Sequence, residues 1–220
     1  MSDFYSAVFF DMDGLFVDSE PQWLLAETEL MADYGYEWTS VDQNYCLGGP
    51  LTRVGKYMFD KSGNAESPEF FTRSIIEKMA VKLSAGAPVM PGALDLLKDL
   101  YENNIPTALV SASPRVLVDS VLKSVPTHTF SFSLSADDVT NSKPDPEAYL
   151  KAADNLKVSI ENCLILEDSP TGVKAATSSG AFTIAVPHFI EITQKDRLRV
   201  ISSLTELSFE NLRISYGQGK

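Results

Sequence analysis

The chain has 220 residues, 30 of them acidic against 18 Lys and Arg, for a formal charge of −12, and 44% of its residues are hydrophobic. That composition builds a globular protein with a sizeable core and excludes a disordered tail. The acidic balance excludes a protein that grips nucleic acid or docks on anionic membranes, since both tasks demand a basic surface.

No apolar run approaches the roughly 20 residues of a membrane span, and Met1-Ser2-Asp3 is acidic where a secretory signal is basic. Cys46 and Cys163 have no metal-like or redox-like spacing, and are expected as reduced, buried thiols of a cytoplasmic protein.

In chain order, Ala7-Val8-Phe9-Phe10 is a continuous apolar run that stops at Asp11, the pattern of a strand buried on both faces of a parallel sheet. From about Glu20 to Ala85 strand signals are weak. Trp23, Leu30, Met31 and Tyr34 fall at helical spacing there, as do Phe71, Ile75 and Met79. Gly86, Pro88, Pro91 and Gly92 mark the return to a sheet. Leu96, Leu97, Leu100 and Tyr101 share a helical face that ends at Asn103-Asn104, and Ala108-Leu109-Val110 is a strand that stops at Ser111. Phe130 to Leu134 is a weaker strand signal. Asp145-Pro146 is an N-cap and first-turn pair that opens a helix over Glu147–Leu156. Cys163-Leu164-Ile165-Leu166 is a strand that ends in Glu167-Asp168, a short helix from Val173 to Ser179 closes at Gly180, and Phe182–Val186 is a strand stopped by Pro187.

Alternating strands and helices predict an α/β fold, a doubly wound parallel-sheet (Rossmann-like) core interrupted by a helical cap domain. The expected division is 1–17 and 86–220 for the core and 18–85 for the cap.

In open parallel sheets, ligands bind beyond the carboxyl ends of the strands. Asp11 and Asp13, Ser111 and Ser113, and Glu167 and Asp168 all follow apolar runs. Carboxylates converging on one crevice repel each other unless a cation sits among them, and an all-oxygen ligand set suits Mg²⁺. A calcium loop starting at Asp11 fails, because its twelfth position is Gln22 and not Glu. There is no GxSxG elbow and no Walker loop. His128 and His188 are expected as surface or loop residues.

Phe10-Asp11-Met12-Asp13-Gly14 followed by Asp18-Ser19-Glu20 resembles the first motif of the haloacid dehalogenase superfamily of phosphotransferases. Ser111-Ala112-Ser113 resembles its second motif, Lys143-Pro144-Asp145 its third and Glu167-Asp168-Ser169 its fourth, in the family order and over nearly the whole chain. The resemblance implies that Asp11 is the nucleophile, forming an aspartyl-phosphate, and that Asp13 is the general acid and base. It implies Mg²⁺ held by Asp11, Asp13 and Asp168 with support from Glu167. Ser111, Ala112 and Ser113 would hold the phosphoryl group, and Lys143 would neutralise charge.

Within the superfamily, the stretch Gly14–Trp23 resembles the group of β-phosphoglucomutase and the small sugar-phosphate phosphatases, nearest those acting on hexose phosphates such as 2-deoxyglucose 6-phosphate. A His stands at the position of Trp23 in the mutases. Trp cannot carry a proton, which favours water as the final acceptor. Glu20, Trp23 and Arg53 are the candidate substrate contacts of the cap, Arg53 toward a second anionic group, with Leu47-Gly48-Gly49-Pro50-Leu51-Thr52-Arg53 as a substrate-facing loop. The expected protein is a monomeric phosphatase of small phosphate esters, most simply sugar phosphates. The alternatives are a sugar-phosphate mutase and a non-catalytic phosphate- or metal-binding module.

Overall fold

A computed structural model of the chain describes residues 4–48, 50–187 and 191–218. Among the described residues, six strands form one parallel sheet: β1 Ala7–Phe10, β2 Thr107–Val110, β3 Phe132–Leu134, β4 Cys163–Glu167, β5 Phe182–Ala185 and β6 Leu198–Val200. Their order is β3-β2-β1-β4-β5-β6. The helices are α1 Glu20–Ala32, α2 Ser40–Cys46, α3 Leu51–Lys61, α4 Pro68–Ala85, α5 Ala93–Glu102, α6 Arg115–Ser124, α7 Glu147–Leu156, α8 Pro170–Ser179 and α9 Phe209–Gln218.

The continuous apolar runs follow from a sheet covered on both sides. Ala7 and Phe9 pack with Ala108, Val110 and Ile165 against Tyr149 and Ala152 of α7 and Ala175 and Ala176 of α8. Val8 and Phe10, on the other face, pack with Leu109 and Leu166 against Leu96 and Leu100 of α5 and Leu117 and Val121 of α6. The chain runs outward from β1 to β3 and then returns to β4 on the other side of β1. This switch point opens a crevice beyond the ends of β1, β2 and β4.

Helices α1 to α4 form an insertion between β1 and the rest of the sheet. The chain enters and leaves it through a two-stranded neck. Asp18 N donates to Pro88 O (2.8 Å), Met90 N donates to Phe16 O (2.9 Å), and Val17 bridges Val89 in the antiparallel sense. The apolar core is continuous through the neck, from Phe10 and Phe16 to Met31, Phe71, Ile75 and Met79.

Several boundaries differ from the periodicity. β3 begins at Phe132 because Phe130 instead turns edge-on to Phe10 (5.5 Å) and Phe16 (4.9 Å). α8 begins at Pro170, where Ser169 Oγ accepts from Gly172 N (3.1 Å) and caps the first turn. β6 carries no apolar signal, since Arg199 occupies the middle of a three-residue edge strand. Tyr34 lies beyond the end of α1 and packs on Phe71 at 5.0 Å.

His128 is a loop residue between α6 and β3, half-buried and stacked on Phe130 at 5.7 Å, and burial lowers its pKa. Cys46 and Cys163 are buried free thiols. His188 and Gly49 lie outside the described residues. Among the described residues, no helix is long and apolar enough to cross a membrane.

Candidate active site

The segments that follow β1, β2 and β4 meet in the crevice. Asp11 comes directly after β1 and is buried, its amide donating to Leu166 O on β4 (3.0 Å). Lys143 reaches it from the loop before α7, with a side chain only 4% exposed. Its ammonium donates to Asp11 Oδ1 (2.5 Å), Glu167 Oε1 (2.7 Å) and Val110 O (2.9 Å), so all three of its hydrogens are engaged. Glu147, at the start of α7, holds that loop by accepting from Thr140 N (2.7 Å) and Asn141 N (2.8 Å).

Burial opposes the charged lysine, but Asp11 and Glu167 outweigh it and hold the Lys143 pKa well above its usual value. Asp11, Glu167 and Asp168 each place a carboxylate oxygen within 4.8 Å of the others. Burial pushes Asp11 up to about 8, against the pull of Lys143 and with the repulsion of Glu167 and Asp13. Burial and the charges of Asp11 and Glu167 push Asp168 up to about 9, again against Lys143. One ammonium among three acids leaves an excess of buried negative charge. The donor set is entirely carboxylate oxygen, which fits a hard divalent cation.

Two glycines make room for these acids. Gly14 has φ +81°, which favours glycine, and a Cβ there would lie 2.2 Å from Asp168 Oδ2. Gly172, in the first turn of α8, would place a Cβ 2.0 Å from Glu167 Oε2.

Asp13 stands in a turn closed by Phe16 and Val17, whose amides both donate to Met12 O at 3.0 Å. Its carboxylate receives three hydroxyls: Ser19 on Oδ1 (2.7 Å), and Ser113 (2.8 Å) and Ser111 (3.4 Å) on Oδ2. Ser111 is buried and accepts from Ser113 N (2.9 Å), while Ala112 between them is exposed. The turn after β2 thus lies against Asp13.

Among the predicted contacts in the insertion, Glu20 follows Ser19 and accepts from Gln43 Nε2 at 3.2 Å. Burial, with the nearby charges of Asp13 and Asp18, raises it to about 7 despite that bond. Trp23 is half-buried and packs on the main apolar core. Arg53 lies in the first turn of α3. It is exposed, and its guanidinium donates to Tyr45 O (2.9 Å), Leu47 O (3.4 Å) and Cys46 O (3.5 Å), tying down the end of α2.

Tyr149 is a site residue that the sequence pattern hides. Fully buried on α7, it donates to Glu167 Oε1 at 2.5 Å, and its ring lies 4.9 Å from Lys143 Nζ. An aromatic on the apolar face of a helix signals core first, and nothing in its spacing marks the hydroxyl. Ser19 was visible as part of the first motif, without the bond to Asp13 that gives it a role.

The model of the haloacid dehalogenase-like hydrolase family matches residues 8–186, which span every group described above. Hexitol phosphatase B of Escherichia coli (strain K12) is 31% identical over 214 residues, covering 94% of this chain and 96% of that protein. A phosphorylated carbohydrates phosphatase of Thermotoga maritima is 30% identical over 175 residues, covering 79% of this chain and 81% of that protein. Among solved structures, a β-phosphoglucomutase from Clostridium difficile shares the fold with a TM-score of 0.79 at 23% identity, covering 97% of this chain and 98% of that one. The chain belongs to the haloacid dehalogenase-like hydrolase family.

Proposed function

We propose that this phosphatase hydrolyses small sugar phosphates in a Mg²⁺-dependent reaction through a phosphoryl group carried on Asp11. The observation that carries the reading is the convergence of Asp11, Lys143, Glu167 and Asp168 in one crevice, with Asp13 beside it under three serine hydroxyls. The carbohydrate phosphatases among the relatives, which align along most of the chain, support the substrate class.

Asp11 attacks phosphorus, forming an O–P bond as the bond from phosphorus to the ester oxygen breaks. Asp13 gives its proton to the departing alkoxide and then takes one from the water that hydrolyses the aspartyl-phosphate, so the enzyme returns to its starting state. Lys143 stays paired with Asp11 and Glu167 and holds positive charge where the phosphoryl oxygens arrive. Ser111 and Ser113 orient the phosphoryl group and Asp13. Asp11, Asp168, Glu167 and the backbone carbonyl of Asp13 would hold Mg²⁺, which when bound offsets charge on the carboxylates and the phosphoryl oxygens.

In this reading residues 18–85 act as a cap that closes over the site, with the neck at Phe16–Asp18 and Pro88–Met90 as its hinge. Trp23 favours hydrolysis over phosphoryl return to a sugar, because an indole passes no proton to Asp13.

The test is phosphate release from hexose and hexitol phosphates and from 4-nitrophenyl phosphate, with Mg²⁺ and with a chelator. Release that needs the metal and is abolished in Asp11→Asn is the expected result. Conversion of β-glucose 1-phosphate to the 6-phosphate without phosphate release would assign a mutase instead.

A further inference from the structure

The turn that carries Ser111 and Ser113 is bracketed by a residue that takes no part in the chemistry at phosphorus. Arg115 follows Ser113 and Pro114 and opens α6, whose first turn holds no acid. A cation there meets the positive end of the helix dipole, so local preference is against it. Pro114 supplies no side-chain cap, and the Arg115 amide donates instead to Asp137 Oδ2 at 2.8 Å. Asp137 belongs to the short turn Ala136–Asp138 that follows β3.

The guanidinium crosses to the same turn. It pairs with Asp138 and donates to Ser133 Oγ (2.8 Å) and Ser133 O (3.2 Å), with a longer contact to Asp119 one helical turn on (3.4 Å). An exposed i,i+4 pair such as that with Asp119 contributes little. A planar fork that meets a carboxylate, a hydroxyl and a carbonyl at once fixes an orientation. Asp138 is fixed in turn, since its Oδ2 also accepts from Ser135 N (2.7 Å) and Ser135 Oγ (2.6 Å). Partial burial works against this carboxylate, but Ser135 and Arg115 outweigh it and hold its pKa down to about 2. Lys151 of α7 anchors the turn as well, donating to Asp138 O at 2.5 Å.

These contacts reach the site through the backbone. Ser111 N donates to Leu134 O (2.9 Å), and Ala136 N donates to Ser113 O (3.0 Å). The segments after β2 and β3 are therefore tied together at both serines, and the Arg115–Asp138 pair closes the ring two residues beyond Ser113. Within it, the hydroxyls of Ser113 (2.8 Å) and Ser111 (3.4 Å) lie on Asp13 Oδ2. Drift in the ring would carry both hydroxyls away from that carboxylate.

We propose that Arg115 is a positioning residue: paired with Asp138, it holds the turn after β2 so that Ser111 and Ser113 aim the Asp13 carboxyl at the departing ester oxygen. The inference rests on the phosphatase reading, in which Asp13 protonates the leaving group, and adds the residue that sets its aim. The effect of losing Arg115 should therefore depend on the leaving group, because an alkoxide needs the proton and nitrophenolate does not. The position also permits repair. The Arg115 side chain is 31% exposed and borders a cavity of about 540 Å³, lined as well by Lys123 of α6 and Ser84 of α4. A small cation can enter there from solvent and take the place of a truncated side chain.

The experiment measures kcat and KM of the Mg²⁺-loaded full chain for 4-nitrophenyl phosphate and for the hexose or hexitol phosphate that the wild type turns over fastest. Wild type, Arg115→Ala and Asp138→Asn are compared, with and without millimolar guanidinium chloride, and with sodium chloride as the control. Arg115→Ala should lower kcat for the sugar phosphate at least tenfold, leave its KM within threefold, and change kcat for 4-nitrophenyl phosphate less than threefold. Guanidinium should raise the sugar-phosphate kcat of Arg115→Ala at least fivefold and leave Asp138→Asn unchanged, since its carboxylate partner is gone. A structural role alone gives equal losses on the two substrates and no recovery in guanidinium; either result overturns the proposal. Asp138→Asn changes charge without volume and carries the leaving-group comparison if Arg115→Ala does not fold, and equal losses there overturn the proposal too. A wild type that hydrolyses both esters, matched by Arg115→Ala, removes the positioning role alone. A wild type that releases phosphate from neither removes the phosphatase reading and this inference with it.

Discussion

Replacing Gly172 by Ala sets a local preference against a packing constraint. In an ordinary helix, Ala is more favourable than Gly by about 1 kcal/mol. At this position a Cβ would lie 2.0 Å from Glu167 Oε2 and 2.1 Å from its Cδ. Ordinary contact begins at 3.4 Å, so the carboxylate must retreat by 3.4 − 2.0 = 1.4 Å. A shift of that size cannot preserve both the 2.5 Å bond from Tyr149 Oη and the 2.7 Å bond from Lys143 Nζ. Hydrogen bonds to charged groups contribute about 1.5–3 kcal/mol each. Losing both costs about 3–6 kcal/mol, and the helix preference returns about 1 kcal/mol. Gly172→Ala is therefore expected to destabilise by about 2–5 kcal/mol, opposite in sign to the helix rule. It should also lower kcat by about 100-fold, the usual scale for an ångström of misplacement. Urea unfolding and initial rates on 4-nitrophenyl phosphate at saturating Mg²⁺ measure both. Ser178→Ala, at an exposed position of the same helix, controls for propensity alone and should leave activity unchanged. Equal or greater stability of Gly172→Ala, with full kcat, would refute the reasoning.

Tyr149→Phe keeps the ring beside Lys143 and removes only the hydroxyl on Glu167, so it should destabilise by about 1.5–3 kcal/mol in chemical unfolding; a loss below 0.5 kcal/mol, roughly the scatter of surface substitutions, would discount the bond. Glu27 titrates near 4.5 when exposed and at about 8 in the fold, where burial outweighs the Trp38 bond. Between those values the folded state holds a proton that the unfolded state has released, so its contribution to stability falls as pH rises through that window. The stability of Glu27→Gln relative to wild type should accordingly rise from pH 4.5 to 8, and parallel curves would contradict the assignment. Asp13→Asn should depress hydrolysis of alkyl phosphates far more than of aryl phosphates, whose leaving groups need no proton; equal losses in the two rates would remove its acid role.

The residues that meet in the crevice were legible because each ends a recognisable run. Asp11 after Phe10, Ser111 after Val110 and Glu167-Asp168 after Leu166 are polar groups abruptly terminating strands buried on both faces. Their convergence then follows from the strand order alone. Lys143 was legible through the Pro144-Asp145 that follows it. What remained hidden depends on contacts between elements distant in sequence. The bond from Tyr149 to Glu167 spans 18 residues, and that from Gln43 to Glu20 spans 23. Arg53 was legible only as a charge: the three carbonyls its guanidinium meets at the end of α2 depend on how the chain folds between α2 and α3. Trp38 and Glu27 gave no sign of forming a pair, because a tryptophan and an acid 11 residues apart have no periodic relation.

The central claim is that Asp11 carries the phosphoryl group, and acid quench during steady-state turnover of a sugar phosphate tests it most directly. Peptide mass mapping should find one phosphoryl group, labile to hydroxylamine, on the peptide that contains Asp11, and none in Asp11→Asn. Turnover by Asp11→Asn at the wild-type rate, or a wild-type enzyme that turns over with no acyl phosphate on that peptide, would contradict the account.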